Sequence, residues 1–141
     1  MNPLFPFPKP PVPPASDAQK LFDAQKYDDA IAFCQAQLAA LDKQLPARNT
    51  KMPQHAENGS AMFQYYALTV SLVNAYAAVE DWKAAKEALG RYRVRFPQDP
   101  WGFQAGAEVT QRDTDVQDQA AVQRAIELLQ GEARRLREKS A

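Results

Sequence analysis

The side chains that could carry out covalent or metal chemistry are few in this chain, and they lie far apart. It has one histidine, His55, and one cysteine, Cys34. His55 lies in a polar stretch, where we expect it to be exposed to solvent. Cys34 lies on the apolar stripe of a predicted helix, where a small buried side chain is typical. Because nucleophilic catalysis needs a nucleophile and a base close together, this inventory disfavours an enzyme.

The carboxylates do not form an acid–base or metal-binding pattern either. Asp28 and Asp29 are expected in the first turn of a helix, where the helix dipole favours negative charge. Asp113 and Asp115 are expected to make a turn. No group of His, Cys and acidic residues has metal-ligand spacing, and no glycine-rich loop is present for phosphate. We therefore predict no catalytic residue, no metal and no cofactor.

Composition predicts a helical, non-membrane protein of one domain's length. The chain has 141 residues, of which 45% are hydrophobic and 24% charged. The 17 basic residues balance the 17 acidic ones, whereas a protein that binds polyanions would carry a basic excess. Nucleic acid is therefore disfavoured as the main partner. The sequence contains no run of about 18 apolar residues and no pattern of a signal peptide, so we expect a cytoplasmic protein.

The N-terminal segment, residues 1–15, contains seven of the 11 prolines. Proline fixes φ and lacks an N–H group, so this segment is predicted to be extended or polyproline II. It is either a disordered leader or an extended ligand for an aromatic-lined groove, as the spacing Pro3-x-x-Pro6 suggests. Phe5 and Phe7 favour a segment that docks, on its own domain or on a neighbour's, because a solvent-exposed tail does not need them.

Residues 16–141 are predicted to be all-α, with about six helices in three antiparallel pairs. Apolar residues recur at helical spacing in each of them. Residues 45–60 form a polar internal linker that contains the turn signal Asn58-Gly59. The third helix has two apolar stripes, so we expect it to be packed on two sides. The predicted helix caps are Ser16 or Asp17, Ser60, Asp81 and Asp99, and the predicted helix ends lie near Gln25, Lys43, Val79, Phe96, Gln111 and Lys139.

Residues 66–97 have the apolar spacing of two helices that pack closely against each other. The residues that carry it are Leu72, Tyr76, Trp82, Ala85, Leu89 and Pro97. A shorter copy around Tyr27 places Ala30 and Cys34 at the same spacing. This pattern resembles the tetratricopeptide repeat. The match is weaker over residues 16–46, and after Trp101 the sequence departs from it at Gly102, Gly106 and Glu108.

The resemblance implies a short right-handed superhelix whose concave groove binds a protein or peptide segment. We expect Val70 and Phe103 to anchor the partner and Asn74 to hold its backbone. Val70 stands where carboxylate-clamp chaperone adaptors have a lysine, which disfavours that subclass. Exposed apolar surface at the end of so short an array would favour a homodimer. The groove-facing candidates are Gln19, Asp23, Val70, Asn74, Ala78 and Phe103.

An alternative interpretation is a nucleic-acid-associated regulator that uses an arginine-rich face. A basic stretch, residues 83–95, is followed by an acidic one, residues 99–118. These stretches can neutralise each other within one molecule or act as opposite patches that contact a partner. A steep salt dependence of binding would distinguish phosphate recognition from a hydrophobic groove. The arginines of this face are Arg91, Arg93, Arg95, Arg134, Arg135 and Arg137.

Overall fold

The computed structural model describes residues 2–9, 12–113 and 116–140. Within these ranges it contains helices and no strand, which confirms the all-α prediction. A short 3-10 helix, Pro53–His55, precedes the third α-helix. Residues 114 and 115 of the predicted turn lie outside the described ranges. The six described α-helices are α1 Ala15–Asp23, α2 Tyr27–Gln44, α3 Ala61–Ala78, α4 Trp82–Arg95, α5 Pro100–Arg112 and α6 Gln119–Ser140.

These helices belong to two compact units. The first unit contains the N-terminal segment and α1 to α3, and it ends at Asp81. The second begins at Trp82, contains α4 to α6, and also includes Arg48–Lys51. The backbone N–H of Asn49 donates to the carbonyl of Arg95 at 2.7 Å, so part of the predicted linker belongs with α4. Since residues 66–97 are divided between the units, the repeat superhelix stays a prediction.

In the first unit, α3 is the central helix. It packs against α1, α2 and the 3-10 helix, and nearly every residue from Gln64 to Tyr76 is buried. This burial follows from its two apolar stripes, since a helix that is apolar on two faces has to be covered on both. Ser60 caps it as predicted, because its Oγ accepts the N–H of Phe63 at 3.2 Å. Gly59, at φ +92°, makes the predicted turn just before this cap.

The start of α1 differs from the prediction. The helix begins at Ala15 with Pro14 at the N-cap position, and no side chain caps it, so the prediction of Ser16 or Asp17 as the cap is wrong. The N–H of Ala15 instead donates to Oε1 of Gln64 on α3, at 3.1 Å. A distant side chain thus satisfies one of the N–H groups that a helix start leaves without a partner.

In the second unit, α4 and α5 form an antiparallel pair, and α5 also packs against α6. Tyr92, near the end of α4, donates its hydroxyl hydrogen bond to Asp99, which caps α5 as predicted by accepting the N–H of Trp101 at 3.0 Å. At the other end, Lys86 of α4 forms an ion pair with Asp113, just after α5. This pair joins the basic and acidic stretches, so part of their charge is neutralised within the unit.

Gly102 and Gly106 have a structural role that the repeat pattern does not include. The side chain of Arg93 lies across both glycines, and a Cβ atom added at Gly106 would lie 2.5 Å from Arg93 Nη1. A Cβ atom added at Gly102 would lie 2.9 Å from Arg93 Cγ and 3.0 Å from Tyr92 Cδ1. The two glycines therefore allow α4 to approach α5 closely, where a larger residue would be in steric conflict.

Candidate peptide-binding site

The side-chain amide of Asn74 on α3 holds the backbone of Phe5. Asn74 Oδ1 accepts the N–H of Phe5 at 2.8 Å, and Asn74 Nδ2 donates to the carbonyl oxygen of Phe5 at 2.9 Å. Asn74 is only 1% exposed, so these two bonds satisfy a polar side chain that burial would otherwise leave without water. The pairing recognises the main chain of one residue rather than its side chain.

Residues 2–9, called here the N-terminal arm, are bonded to α3 through Phe5. Phe5 is bonded near the end of α3 at Asn74, whereas Ala15, which follows the arm, is bonded near its start at Gln64. These two α3 positions are about 15 Å apart at the usual helical rise. Within the arm, the backbone bends at Leu4 and Phe5.

An aromatic cluster between α1 and α2 receives the second aromatic residue of the arm. The ring of Phe7 packs edge-on against Phe22 of α1, with ring centroids 5.3 Å apart. Phe22 in turn contacts Tyr27 at the start of α2, also at 5.3 Å. Phe22, Ala30 and Ala75 are buried at the centre of this cluster. Together with Asn74, the cluster forms what we call the arm site.

The sequence-predicted groove residues are only partly brought together. Asn74 and Ala78 contribute to the arm site, since Ala78 packs against the same cluster as Phe7. Val70 is fully buried with the arm in place, as Asn74 is, and its role as an anchor for a partner stays a prediction. On α1, Gln19 is half-buried and Asp23 is exposed. Phe103 belongs to the second unit.

Several arginines of the predicted basic face are engaged by their own unit. Arg93 is half-buried, donates to the carbonyl of Gly102 at 3.1 Å and lies over the ring of Phe103 at 5.7 Å. Burial lowers the pKa of its guanidinium. Of the other arginines in this set, Arg95 is half-buried, Arg91 and Arg134 are exposed, Arg135 pairs with Glu132, and Arg137 donates to Gln104.

Arg135 is nevertheless exposed, and its pair with Glu132 is a surface contact three residues along α6. The hydrogen bond between them lowers the pKa of Glu132 and raises that of Arg135. Surface pairs of this kind contribute little to stability. The pair therefore adds little to the stability of the unit. It does neutralise part of the positive charge that this part of the basic face would offer to a polyanion.

The residues considered for covalent chemistry are not placed together. His55 is exposed in the 3-10 helix, whereas Cys34 is fully buried on α2. Burial raises the pKa of the Cys34 thiol to about 12. An unfolded thiol loses its proton near pH 8.5, so the contribution of Cys34 to stability falls as the pH rises from about 8.5 to 12. No cluster of metal-binding side chains occurs in the described ranges.

We expect Cys34 to resist a thiol reagent such as dithionitrobenzoate at pH 8 in the native protein. The thiolate is the reactive form, and Cys34 is both buried and protonated. Reaction should follow opening of the first unit and accelerate in urea. An Asn2→Cys variant provides the control, since it should show one rapid and one slow thiol. Reaction of the wild type at the rate of an exposed thiol would contradict this placement.

Comparison with protein-family models, with curated proteins and with solved structures found no match to this chain. The tetratricopeptide resemblance therefore stays a prediction, and the site has to be judged from its own geometry. Within the residues described, no helix has both the length and the apolar character needed to cross a membrane.

The sequence alone singles out Asn74 and the aromatic residues of the arm, but not the aromatic residues of α1 and α2 that complete the arm site. Asn74 was identified by its position in the repeat pattern, and Phe5 and Phe7 by their occurrence in a proline-rich segment. The sequence does not distinguish Phe22, which contacts Phe7, or Tyr27, which contacts Phe22, as ligand contacts. Their signal is two aromatic residues on either side of a short helix–helix turn, which a packing role explains equally well.

Proposed function

We propose that the first unit is a non-catalytic peptide-binding module that acts as an interaction or adaptor domain. The observation that carries this proposal is the pairing of Asn74 with both backbone groups of Phe5. A buried polar amide is costly unless it is satisfied, and here a peptide backbone satisfies the amide of Asn74. The bound segment contributes main-chain hydrogen bonds for affinity and a side chain in a pocket for specificity.

The aromatic cluster around Phe22 supports the same proposal. Aromatic side chains bury a large area, and edge-on ring pairs add about 0.5–1.5 kcal/mol beyond that area. The contact between Phe7 and Phe22 has this geometry. The module therefore combines one backbone clamp with one aromatic anchor, which suits a protein or peptide segment rather than a small polar ligand.

We predict that the chain's own arm sequence binds as a separate peptide once the tethered arm is disabled. The test uses the full-length Phe5→Pro/Phe7→Ser variant, in which the arm lacks both the N–H that Asn74 accepts and the aromatic ring. A fluorescent peptide with the sequence of residues 2–9 is titrated with this variant, and its anisotropy is measured. Adding Asn74→Ala should weaken binding about 5- to 150-fold, because two hydrogen bonds contribute about 1–3 kcal/mol.

Tyr76→Phe is the matched control for this experiment. Tyr76 lies two residues from Asn74, and its hydroxyl accepts a hydrogen bond from Gln35 at 2.7 Å. Removing that hydroxyl deletes one polar atom from α3 without touching the arm, so peptide affinity should stay within about twofold. The proposal fails if the peptide does not bind, or if Asn74→Ala binds it as well as Tyr76→Phe does.

A further inference from the structure

The geometry points to the N-terminal arm as a tethered competitor for the arm site. The intact chain then admits a separate segment only when that segment displaces the arm by offering a backbone N–H to Asn74 and an aromatic ring two residues later. This inference rests on the proposed peptide-binding function and adds to it a ligand class and a form of regulation. Its basis is that the arm occupies both recognition elements at once, since Phe5 pairs with Asn74 and Phe7 packs on Phe22.

The prolines of the arm fix the register in which it binds. Phe5 supplies an N–H group to Asn74, and Phe7, two residues later, supplies the ring. A shift of one residue in one direction places Pro6, which has no N–H, against Asn74. A shift in the other direction places Leu4 against Asn74 and puts Pro6 where the ring of Phe7 packs. The site therefore favours a segment with a backbone N–H at the position of Phe5 and an aromatic ring two residues later over a general apolar segment.

Tethering gives the arm an advantage over any free segment of the same sequence. Residues 10–14 connect the arm to α1, and a short connection of this kind holds a ligand at an effective concentration in the millimolar range. The apparent Kd of a free segment equals its intrinsic Kd divided by the fraction of chains whose site is open. An arm that is docked about 90% of the time thus raises the apparent Kd about tenfold.

The exposure of the arm is consistent with a segment that can leave the site. Pro3, Pro6 and Lys9 are exposed, and Phe7 is only half-buried. The contacts that hold the arm include two backbone hydrogen bonds to Asn74 and the packing of Phe7 against the aromatic cluster. A partner segment with the same pattern and additional contacts would therefore displace the arm, because the additional contacts give it a higher affinity for the arm site than the arm has.

The test compares the intact chain with the full-length Phe5→Pro/Phe7→Ser variant, using the fluorescent peptide of residues 2–9 as probe. The variant is expected to bind at least about tenfold more tightly than the intact chain. A permuted peptide, in which the residue corresponding to Phe5 is exchanged with Asn2 and that corresponding to Phe7 with Pro3, should bind neither protein. In that peptide no aromatic ring lies two residues after a backbone N–H that could pair with Asn74. Circular dichroism establishes that both proteins have the same helix content.

A second measurement keeps the inference testable if the double variant does not fold. Asn2→Cys in the otherwise intact chain is labelled with a fluorophore, and buried Cys34 remains unlabelled. Excess unlabelled peptide should lower the anisotropy of the label as the arm is displaced, whereas the permuted peptide should leave it unchanged. A label that is already fully mobile without peptide would overturn the inference.

The remaining outcomes separate this inference from the proposed function. Equal binding by the intact chain and the double variant would overturn the competitor role and leave the peptide-binding function standing. Binding by neither protein would overturn both. Equal binding of the permuted peptide would overturn the proposed ligand class, an N–H donor followed two residues later by an aromatic ring. Sedimentation that shows a dimer of the intact chain, absent from the double variant, would also overturn the inference, because the arm would then occupy the site of a second copy.

Discussion

Replacing Asp99 by alanine is expected to lower the free energy of unfolding of the second unit by about 2–4 kcal/mol. Asp99 is fully buried, accepts the hydroxyl hydrogen bond of Tyr92 and caps α5 through the N–H of Trp101. Loss of an N-cap costs about 1 kcal/mol. Leaving the buried hydroxyl of Tyr92 without its acceptor adds about 1–3 kcal/mol. Urea unfolding followed by tryptophan fluorescence and circular dichroism measures the sum.

The matched control for this variant is Asp118→Ala in the same unit. Asp118 caps α6 by accepting the N–H of Ala121 at 3.1 Å, but it is exposed. Its replacement should cost only the cap, about 0.5–1 kcal/mol. Tyr92→Phe completes a double-mutant cycle with Asp99→Ala and isolates the energy of the buried pair. Equal costs for the two aspartate variants would mean that the buried pair contributes nothing to stability.

The second large effect is expected for Gly102→Ala, which should destabilise the second unit by up to about 2 kcal/mol. Alanine normally stabilises a helix interior by about 1 kcal/mol relative to glycine. Here the added methyl group would conflict with Arg93 Cγ and with the ring of Tyr92, at 2.9 and 3.0 Å. Tyr92 cannot move easily, because it is fully buried and packed against Phe96 and Trp101. Overpacking of this kind costs about 1–3 kcal/mol, which exceeds the helix-propensity gain.

Gly131→Ala on α6 is the control with the opposite expected sign. A Cβ atom added at Gly131 meets no atom within 4 Å, so only the helix-propensity term remains. We expect this variant to be more stable than the wild type by up to about 1 kcal/mol. Thermal unfolding of the two alanine variants side by side measures the difference. A stabilising Gly102→Ala would contradict the close approach of α4 and α5 described above.

The helices were predictable from the sequence because apolar spacing and local caps determine them. Ser60 and Asp99 satisfy N–H groups only two or three residues away, so their role can be recognised without tertiary information. The start of α1 could not be predicted in this way, since its first N–H is bonded to Gln64, 49 residues away. Local helix propensity carries no information about a contact between residues so far apart in the sequence.

How the helices pack against each other was harder to predict from the sequence than where the helices lie. In the sequence, Gly102 and Gly106 stand out only as departures from a repeat pattern. The structure explains why these positions are glycine, because the side chain of Arg93 lies across both of them. For the arm site, Asn74, Phe5 and Phe7 could be singled out one by one. That Asn74 and Phe5 meet depends on a contact between residues 69 positions apart, which periodicity does not encode.

The separation of 69 residues between Phe5 and Asn74 also determines when the arm can dock during synthesis of the chain. Phe5 leaves the ribosome well before Asn74, and at about 5–20 residues per second the delay is about 3–14 s. During that interval the arm has no α3 to bind, and the aromatic cluster around Phe22 lacks the Ala75 side chain that completes it. Docking of the arm is therefore a late step in the maturation of the first unit, and it follows the appearance of the helix that holds it.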